Sequence, residues 1–219
     1  MISRRPCMLR YSHTVWLSAR TATRSAQAAP QTPFYYYHIP SKTGVSFPYT
    51  VSDLVGAADA NIPTFRGVKF TDYQLDDFQI ALQHEFTQGA SWRVGQKVDM
   101  LFGRDEYLLA AVTYGCAGAV GSTYNFNGEM QQKVFSADKN TAARAQLATA
   151  RFIQAVSSVD VGGAYVWKMV ADAIGISMGP ARLPYLPPDA KAIETLAKSL
   201  TVWCQTTDKD LRPSWCRAM

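Results

Sequence analysis

Acid is missing from the start of this chain: no Asp or Glu occurs before Asp53. Residues 1–32 hold Arg4, Arg5, Arg10, Arg20 and Arg24, which account for the whole net charge of +5. Residues 33–219 are neutral, with 17 basic and 17 acidic side chains. No cluster of Lys and Arg stands within that neutral body, which speaks against nucleic acid as a partner. A run of roughly 18 apolar residues is also missing, so no membrane-spanning helix is expected. The most apolar stretch, Leu108 to Val120, is broken by Thr113, Gly115 and Gly118. Cysteine is scarce: Cys7, Cys116, Cys204 and Cys216 form no CxxC and no zinc-ligand spacing. In a chain of this size they read as reduced, buried or incidental thiols of an intracellular protein. His13, His38 and His84 make no triad or ligand spacing. His38 reads as a packing histidine and His84 as a residue on a polar helix face.

What is present is a folded composition: 47% hydrophobic, 12% aromatic and 18% charged. Two segments are expected. Residues 1–32, rich in Arg, Ser, Thr and Ala, read as a disordered leader. That leader is either a mitochondrial transit segment or the edge of an incomplete coding sequence, and the second reading is favoured. Residues 33–219 read as the folded body. The expected compartment is the cytoplasm, or the mitochondrion if the leader is a transit segment.

Within the body, Phe34 to Ile39 reads as a buried strand ended by Pro40. Val51 to Ala60 reads as a helix and Phe65 to Phe70 as a second strand. Leu75, Phe78 and Leu82 sit at helical spacing. Val98 to Phe102 reads as a third strand, Glu106 to Tyr114 as a helix, and Gly118 to Ser122 as a short fourth strand. Strands alternating with helices across short loops predict βαβ units and a parallel sheet, hence an α/β fold. From Asn125 onward helices are expected. One has a face of Ala145, Ala148, Phe152, Ala155 and Val159, and another a face of Ile193, Leu196, Leu200 and Trp203.

Four sites in this layout could carry chemistry. Lys69 lies in the second strand, between Val68 and Phe70. Burial of an ammonium is costly and favours the neutral, nucleophilic amine; the alternative is a lysine that snorkels out of the sheet end. Tyr37 ends the first strand, where a phenol can move a proton; the alternative is one packing aromatic among three. Asp105 and Glu106 follow Gly103 after the third strand, where they either bind sugar hydroxyls or enrich a helix N-terminus in acid. Gly121-Ser122-Thr123 follows the fourth strand and either admits a ligand to its backbone and hydroxyls or makes a plain turn.

The segments Tyr35-Tyr36-Tyr37-His38-Ile39-Pro40, Gly67-Val68-Lys69, Leu101 to Glu106 and Gly118 to Asn125, with Met178 to Pro184, together resemble a known family. It is the pyruvate-dependent class I aldolases that include dihydrodipicolinate synthase and N-acetylneuraminate lyase. The resemblance runs from about residue 28 to about residue 200 and is nearer the sialate-cleaving branch, on the Asp105-Glu106 pair. It implies a TIM (β/α)8 barrel fold with active-site residues at the C-terminal strand ends. It implies Lys69 as the Schiff-base lysine and Tyr37 as the proton-transfer residue. Thr71, Gly103, Asp105, Glu106 and Ser122 are implied as substrate-binding. The implied reaction is retro-aldol cleavage of N-acetylneuraminate to N-acetylmannosamine and pyruvate. The lysine imine would replace any metal or other cofactor. The implied partners are these small molecules and further copies of the chain in a homotetramer, with no membrane.

The chain departs from the family ahead of Tyr37, where the family carries four more strands and where residues 1–27 do not resemble its preceding strand and helix. The carboxylate-binding Gly-x-Thr-Gly-Glu loop of an earlier strand is absent, and Lys42-Thr43-Gly44-Val45 lacks the acid. The expectation is therefore a partial barrel of strands five to eight followed by helices. Such a piece would leave sheet edges open and would be unstable alone or pair with another chain.

Overall fold

The structure is a computed structural model and describes residues 13–44, 50–89, 91 and 93–218. Cys7 lies outside the described residues. The chain divides into two compact units. One holds the residues up to Gly103 together with Tyr114–Ala119, and the other holds Arg104–Thr113 and Val120 onward.

The first unit is built on a four-stranded sheet. Its elements are α1 (His13–Gln27), β1 (Phe34–His38), α2 (Pro40–Thr43), α3 (Val51–Asn61), β2 (Phe65–Phe70), α4 (Leu75–Ala81), β3 (Asp99–Phe102) and β4 (Gly118–Ala119). The strand order is β1-β2-β3-β4, and every pairing is parallel. The α/β alternation expected from the sequence is thus present. Strand β1 stops one residue early, because Ile39 becomes the N-cap of α2, with Pro40 in its first turn. Strand β4 keeps only two residues of the five expected.

Strand alternation sorts the side chains into two faces. Tyr36, Val68 and Met100 lie in one cross-strand row, and His38, Phe70 and Phe102 in the next. Phe70, Phe78 and Phe102 form a buried aromatic cluster, with Phe78 from α4 at 5.3 Å and 5.0 Å from the two strand rings. The opposite face carries the rows Tyr35–Gly67–Asp99 and Tyr37–Lys69–Leu101. Helix α3 is held at its start by a capping box between Thr50 and Asp53. The Asp77 carboxylate also accepts from the N–H groups of Val51 (2.6 Å) and Ser52 (3.1 Å).

Residues 13–27, assigned by composition to a disordered leader, form α1, which packs on α3 with Ala22 and Ala26 buried. His84 is not on a helix face. It follows α4, with Nε2 3.3 Å from Asp59 Oδ2. Beside it Arg93 is fully buried. Its guanidinium donates to Phe65 O (2.9 Å), Asp59 O (2.9 Å) and Asp59 Oδ1 (3.0 Å). A buried charge persists only when paired and hydrogen-bonded in this way.

The second unit is helical. A 3-10 turn (Asp105–Tyr107) leads into α5 (Leu108–Thr113), which divides the single helix expected there. Then come α6 (Tyr124–Ser136), α7 (Lys139–Val156), α8 (Ala164–Ala173), α9 (Ala190–Thr206) and a second 3-10 turn (Ser214–Ala218). Helix α7 is capped by Asp138, which accepts from the N–H groups of Asn140 and Thr141. Its buried face is Ala142, Ala145, Ala148, Thr149, Phe152 and Val156. Val159 is therefore not part of that face, since the helix ends at Val156, and Ala155 is only half-buried. On α9, Leu196, Leu200 and Trp203 are buried as expected, whereas Ile193 is 54% exposed.

The reading of four reduced thiols is corrected at one pair. Cys204 of α9 and Cys216 form a disulfide. The turn after α9 brings back residues twelve apart, which no helical or strand period reveals. Trp203 and Trp215, each next to a bridge cysteine, stack at 5.6 Å and both contact the Phe152 ring. Cys116 is a free, buried thiol, and burial pushes it up. No helix among the described residues is long and apolar enough to cross a membrane.

Candidate active site

In a parallel sheet the C-terminal strand ends gather on one edge, where loops can present side chains to a ligand. Tyr37 and Lys69 lie near that edge as cross-strand partners of β1 and β2. Both point to the same face. Lys69 is half-buried, and its Nζ stands 4.1 Å from the centre of the Tyr37 ring. Tyr37 is 46% exposed, so the pair is open to a ligand.

The hydrogen-bond ladder continues one step past the strands: Thr71 N–H donates to His38 O and Gly103 N–H to Phe70 O, each at 2.8 Å. Thr71 is 6% exposed. Its Oγ1 is buried and has no hydrogen-bond partner among the described residues. A buried hydroxyl left unpaired costs about 1–3 kcal/mol, so this one is suited to a ligand or a bound water. Gly103 explains the space. A Cβ there would sit 2.1 Å from Thr71 Oγ1.

One row lower on the same face is a pair that sequence reasoning missed. Tyr35 donates its phenol proton to Asp99 Oδ2 at 2.6 Å. The two reach across Gly67, where a Cβ would meet Asp99 O at 1.9 Å and the Tyr35 ring at 2.9 Å. Burial, and then the Asp99 carboxylate, push the Tyr35 phenol up to about 12. Tyr35 is therefore a held donor, not merely a packing aromatic. The signal was an acid inside the otherwise apolar run Val98 to Phe102. On the other face His38 is buried, with Nε2 3.5 Å from Asp72 Oδ2. Burial holds its imidazole below the usual value against the pull of that carboxylate.

Asp105, Glu106 and Ser122 belong to the second unit. Asp105 is 5% exposed, and burial raises its carboxyl. Its Oδ2 accepts from Thr123 N–H (3.1 Å) and Thr123 Oγ1–H (2.6 Å). The carboxyl lies so close to Gly121 that a Cβ there would be 1.7 Å from Oδ1. These bonds go to a distant loop, so Asp105 does not cap its own 3-10 turn. Glu106 is partly exposed, with Oε1 3.9 Å from Arg104 Nη1. Ser122 is exposed, and its carbonyl accepts from Asn125 Nδ2 at 3.1 Å. The residue that engages Asp105 is its neighbour Thr123, 1% exposed. Among the described residues no group of three or more His, Cys, Asp or Glu could hold a metal ion.

The profile of the dihydrodipicolinate synthetase family matches residues 24–202. N-acetylneuraminate lyase A of Xenopus laevis is 39% identical over 163 residues, which are 73% of this chain and 50% of that protein. N-acetylneuraminate lyase of Mus musculus is 41% identical over 164 residues, 73% of this chain and 48% of that protein. The chain therefore spans about half the length of these relatives. Among solved structures, Proteus mirabilis N-acetylneuraminate lyase superposes with a TM-score of 0.74 at 27% identity. That superposition covers 90% of this chain and 63% of the other.

Proposed function

The chain belongs to the dihydrodipicolinate synthetase family, and from that premise we propose that it is a Schiff-base aldolase acting on N-acetylneuraminate. The observation that carries this reading is the Lys69–Tyr37 pair at the C-terminal strand edge, with the unpartnered Thr71 hydroxyl beside it in sequence. The identity of about 40% to N-acetylneuraminate lyases supports this choice of substrate.

The proposed reaction needs an amine, a proton carrier and hydroxyl-binding groups. The Lys69 amine adds to the C2 ketone of the open-chain sugar acid and expels water, giving a protonated imine. Tyr37 takes the proton of the C4 hydroxyl. The C3–C4 bond breaks, its electron pair moves into the imine, and N-acetylmannosamine leaves as the aldehyde. The remaining enamine takes at C3 the proton that Tyr37 removed from the C4 hydroxyl. Water then releases pyruvate and restores the amine. The covalent imine is the electron sink, and no metal or other cofactor enters the reading. Thr71 binds the substrate, and Gly103, Asp105, Glu106 and Ser122 hold the sugar portion.

We propose further that the four strands correspond to strands five to eight of a TIM barrel. An eight-stranded barrel takes roughly 250 residues, and the match to half the length of the relatives supports a partial one. A homotetramer in the cytoplasm belongs to the same reading. A second reading rests on that shared half-length: a chain that binds sugar acids or joins a full-length subunit without cleaving them. The test is to incubate the chain with N-acetylneuraminate and measure pyruvate and N-acetylmannosamine. Equal release of both supports the lyase. Sialate binding without pyruvate release supports the second reading. A panel of other 2-keto-3-deoxy acids then checks the substrate.

A further inference from the structure

The loop after β4 and helices α6 and α7 contain a buried polar chain that runs inward from Asp105. Gln131 of α6 is 4% exposed, and its Nε2 donates to Thr149 Oγ1 at 2.9 Å and to Thr123 Oγ1 at 3.4 Å. Thr149 is fully buried and gives its own proton to Ala145 O at 3.0 Å. Every bond in this chain has a fixed direction. The Gln131 amide nitrogen can only donate, so the Thr123 hydroxyl accepts from it. That hydroxyl has one proton left to give, and Asp105 Oδ2 is 2.6 Å away. From the far side Gln146 of α7 donates to Asp105 O at 3.0 Å and accepts from Leu109 N–H at 2.7 Å. The turn that carries Asp105 is thus gripped at both its backbone and its carboxyl.

We propose that Thr123, aligned by Gln131, is a positioning residue that holds the Asp105 carboxylate as a fixed acceptor for ligand hydroxyls. The inference rests on the reading of Asp105 as a sugar-binding group. A buried carboxylate needs hydrogen-bond donors to stay ionised and aimed. Burial drives Asp105 toward its neutral form and Glu106 pushes the same way, while the two Thr123 donors and the Tyr124 phenol oppose them. A neutral acid would rotate and donate, and would lose its preference for hydroxyl protons. Gly121 enforces the same alignment, since any side chain there would collide with the carboxyl.

The test follows the carboxyl itself, by carbon NMR of the full chain labelled at aspartate, with the Asp105 signal assigned from Asp105→Asn. Thr123→Val removes the hydroxyl and should raise the Asp105 titration midpoint by about one pH unit. It should also weaken N-acetylmannosamine binding about tenfold. Thr123→Ser restores the donor and should return both to the parent values. Gln131→Leu should shift the midpoint in the same direction by less, and it carries the test if Thr123→Val does not fold. An unmoved midpoint in the Val and Leu variants, or a Ser variant that tracks Val, overturns the proposal. Pyruvate trapping at Lys69 does not pass through Asp105. Its absence in the parent chain would overturn the aldolase reading and leave the titration test of the relay intact.

Discussion

Lys69 Nζ stands 4.1 Å above the centre of the Tyr37 ring, and the two residues are direct cross-strand partners in a parallel sheet. This relationship brings an amine to a phenol ring without a loop in between. Strand register sets the two Cα positions side by side, and the amine reaches the ring from the end of a flexible four-carbon stem.

The first prediction separates the two roles. Tyr37→Phe keeps the ring beneath the amine and removes only the hydroxyl. Imine formation with pyruvate should persist, while sialate cleavage should fall about a hundred- to ten-thousand-fold, the usual range for a lost proton-transfer group. Parallel trapping and cleavage assays check it. Cleavage at the parent rate would remove Tyr37 from the mechanism.

The second concerns the space at Gly103. Gly103→Ala puts a Cβ 2.1 Å from Thr71 Oγ1 and 3.1 Å from Phe70 O. We expect a loss of about 1–3 kcal/mol in urea unfolding, as for other overpacked sites. Thr71→Ala in the same chain should recover part of it, because one of the colliding atoms is gone. A double-mutant cycle with no coupling would contradict the packing argument.

The third follows from His38. Its folded-state value lies below the usual 6.5. The unfolded chain then binds the proton more readily, so stability is lost as the pH falls below about 6.5. His38→Phe should lessen that dependence, by at most about 1.4 kcal/mol per pH unit. Thermal melts between pH 5 and 7 measure the slope. Equal slopes in parent and variant would show that this imidazole is not the titrating group.

The fourth tests the buried guanidinium. Arg93 bonds to Phe65 O, Asp59 O and Asp59 Oδ1 and stacks its guanidinium 4.7 Å from the Phe86 ring. Arg93→Met breaks the pair and leaves Asp59 without its cation, at a cost of about 3–5 kcal/mol. Arg93→Lys should recover little, because an ammonium cannot make the forked contacts. Full recovery by lysine would show that charge alone holds the site.

The parts of the fold legible in the sequence are those set by local period. Strand β2 spans Phe65–Phe70 as expected, and the spacing of Leu196, Leu200 and Trp203 marks the buried side of α9. Parallel pairing followed from the alternation of strands and helices. Contacts between distant residues were not legible. The Cys204–Cys216 bridge depends on a turn, and the engagement of Asp105 by Thr123 depends on how a loop meets a 3-10 turn. Ser122 and Thr123 are equivalent hydroxyls in the sequence, and only packing tells the exposed one from the buried one. Arg93 carried no signal, because a lone arginine reads as surface until its partners are placed around it. Helix α1 was hidden by composition, since its arginines mask the small side chains Ala22 and Ala26 on its buried side.

The most direct test of the account is to trap the imine. The full chain is incubated with pyruvate and borohydride, digested, and its peptides weighed. The account predicts a reduced pyruvyl adduct on the peptide that contains Lys69, and its loss in Lys69→Ala. No adduct, or one that survives Lys69→Ala, would contradict it.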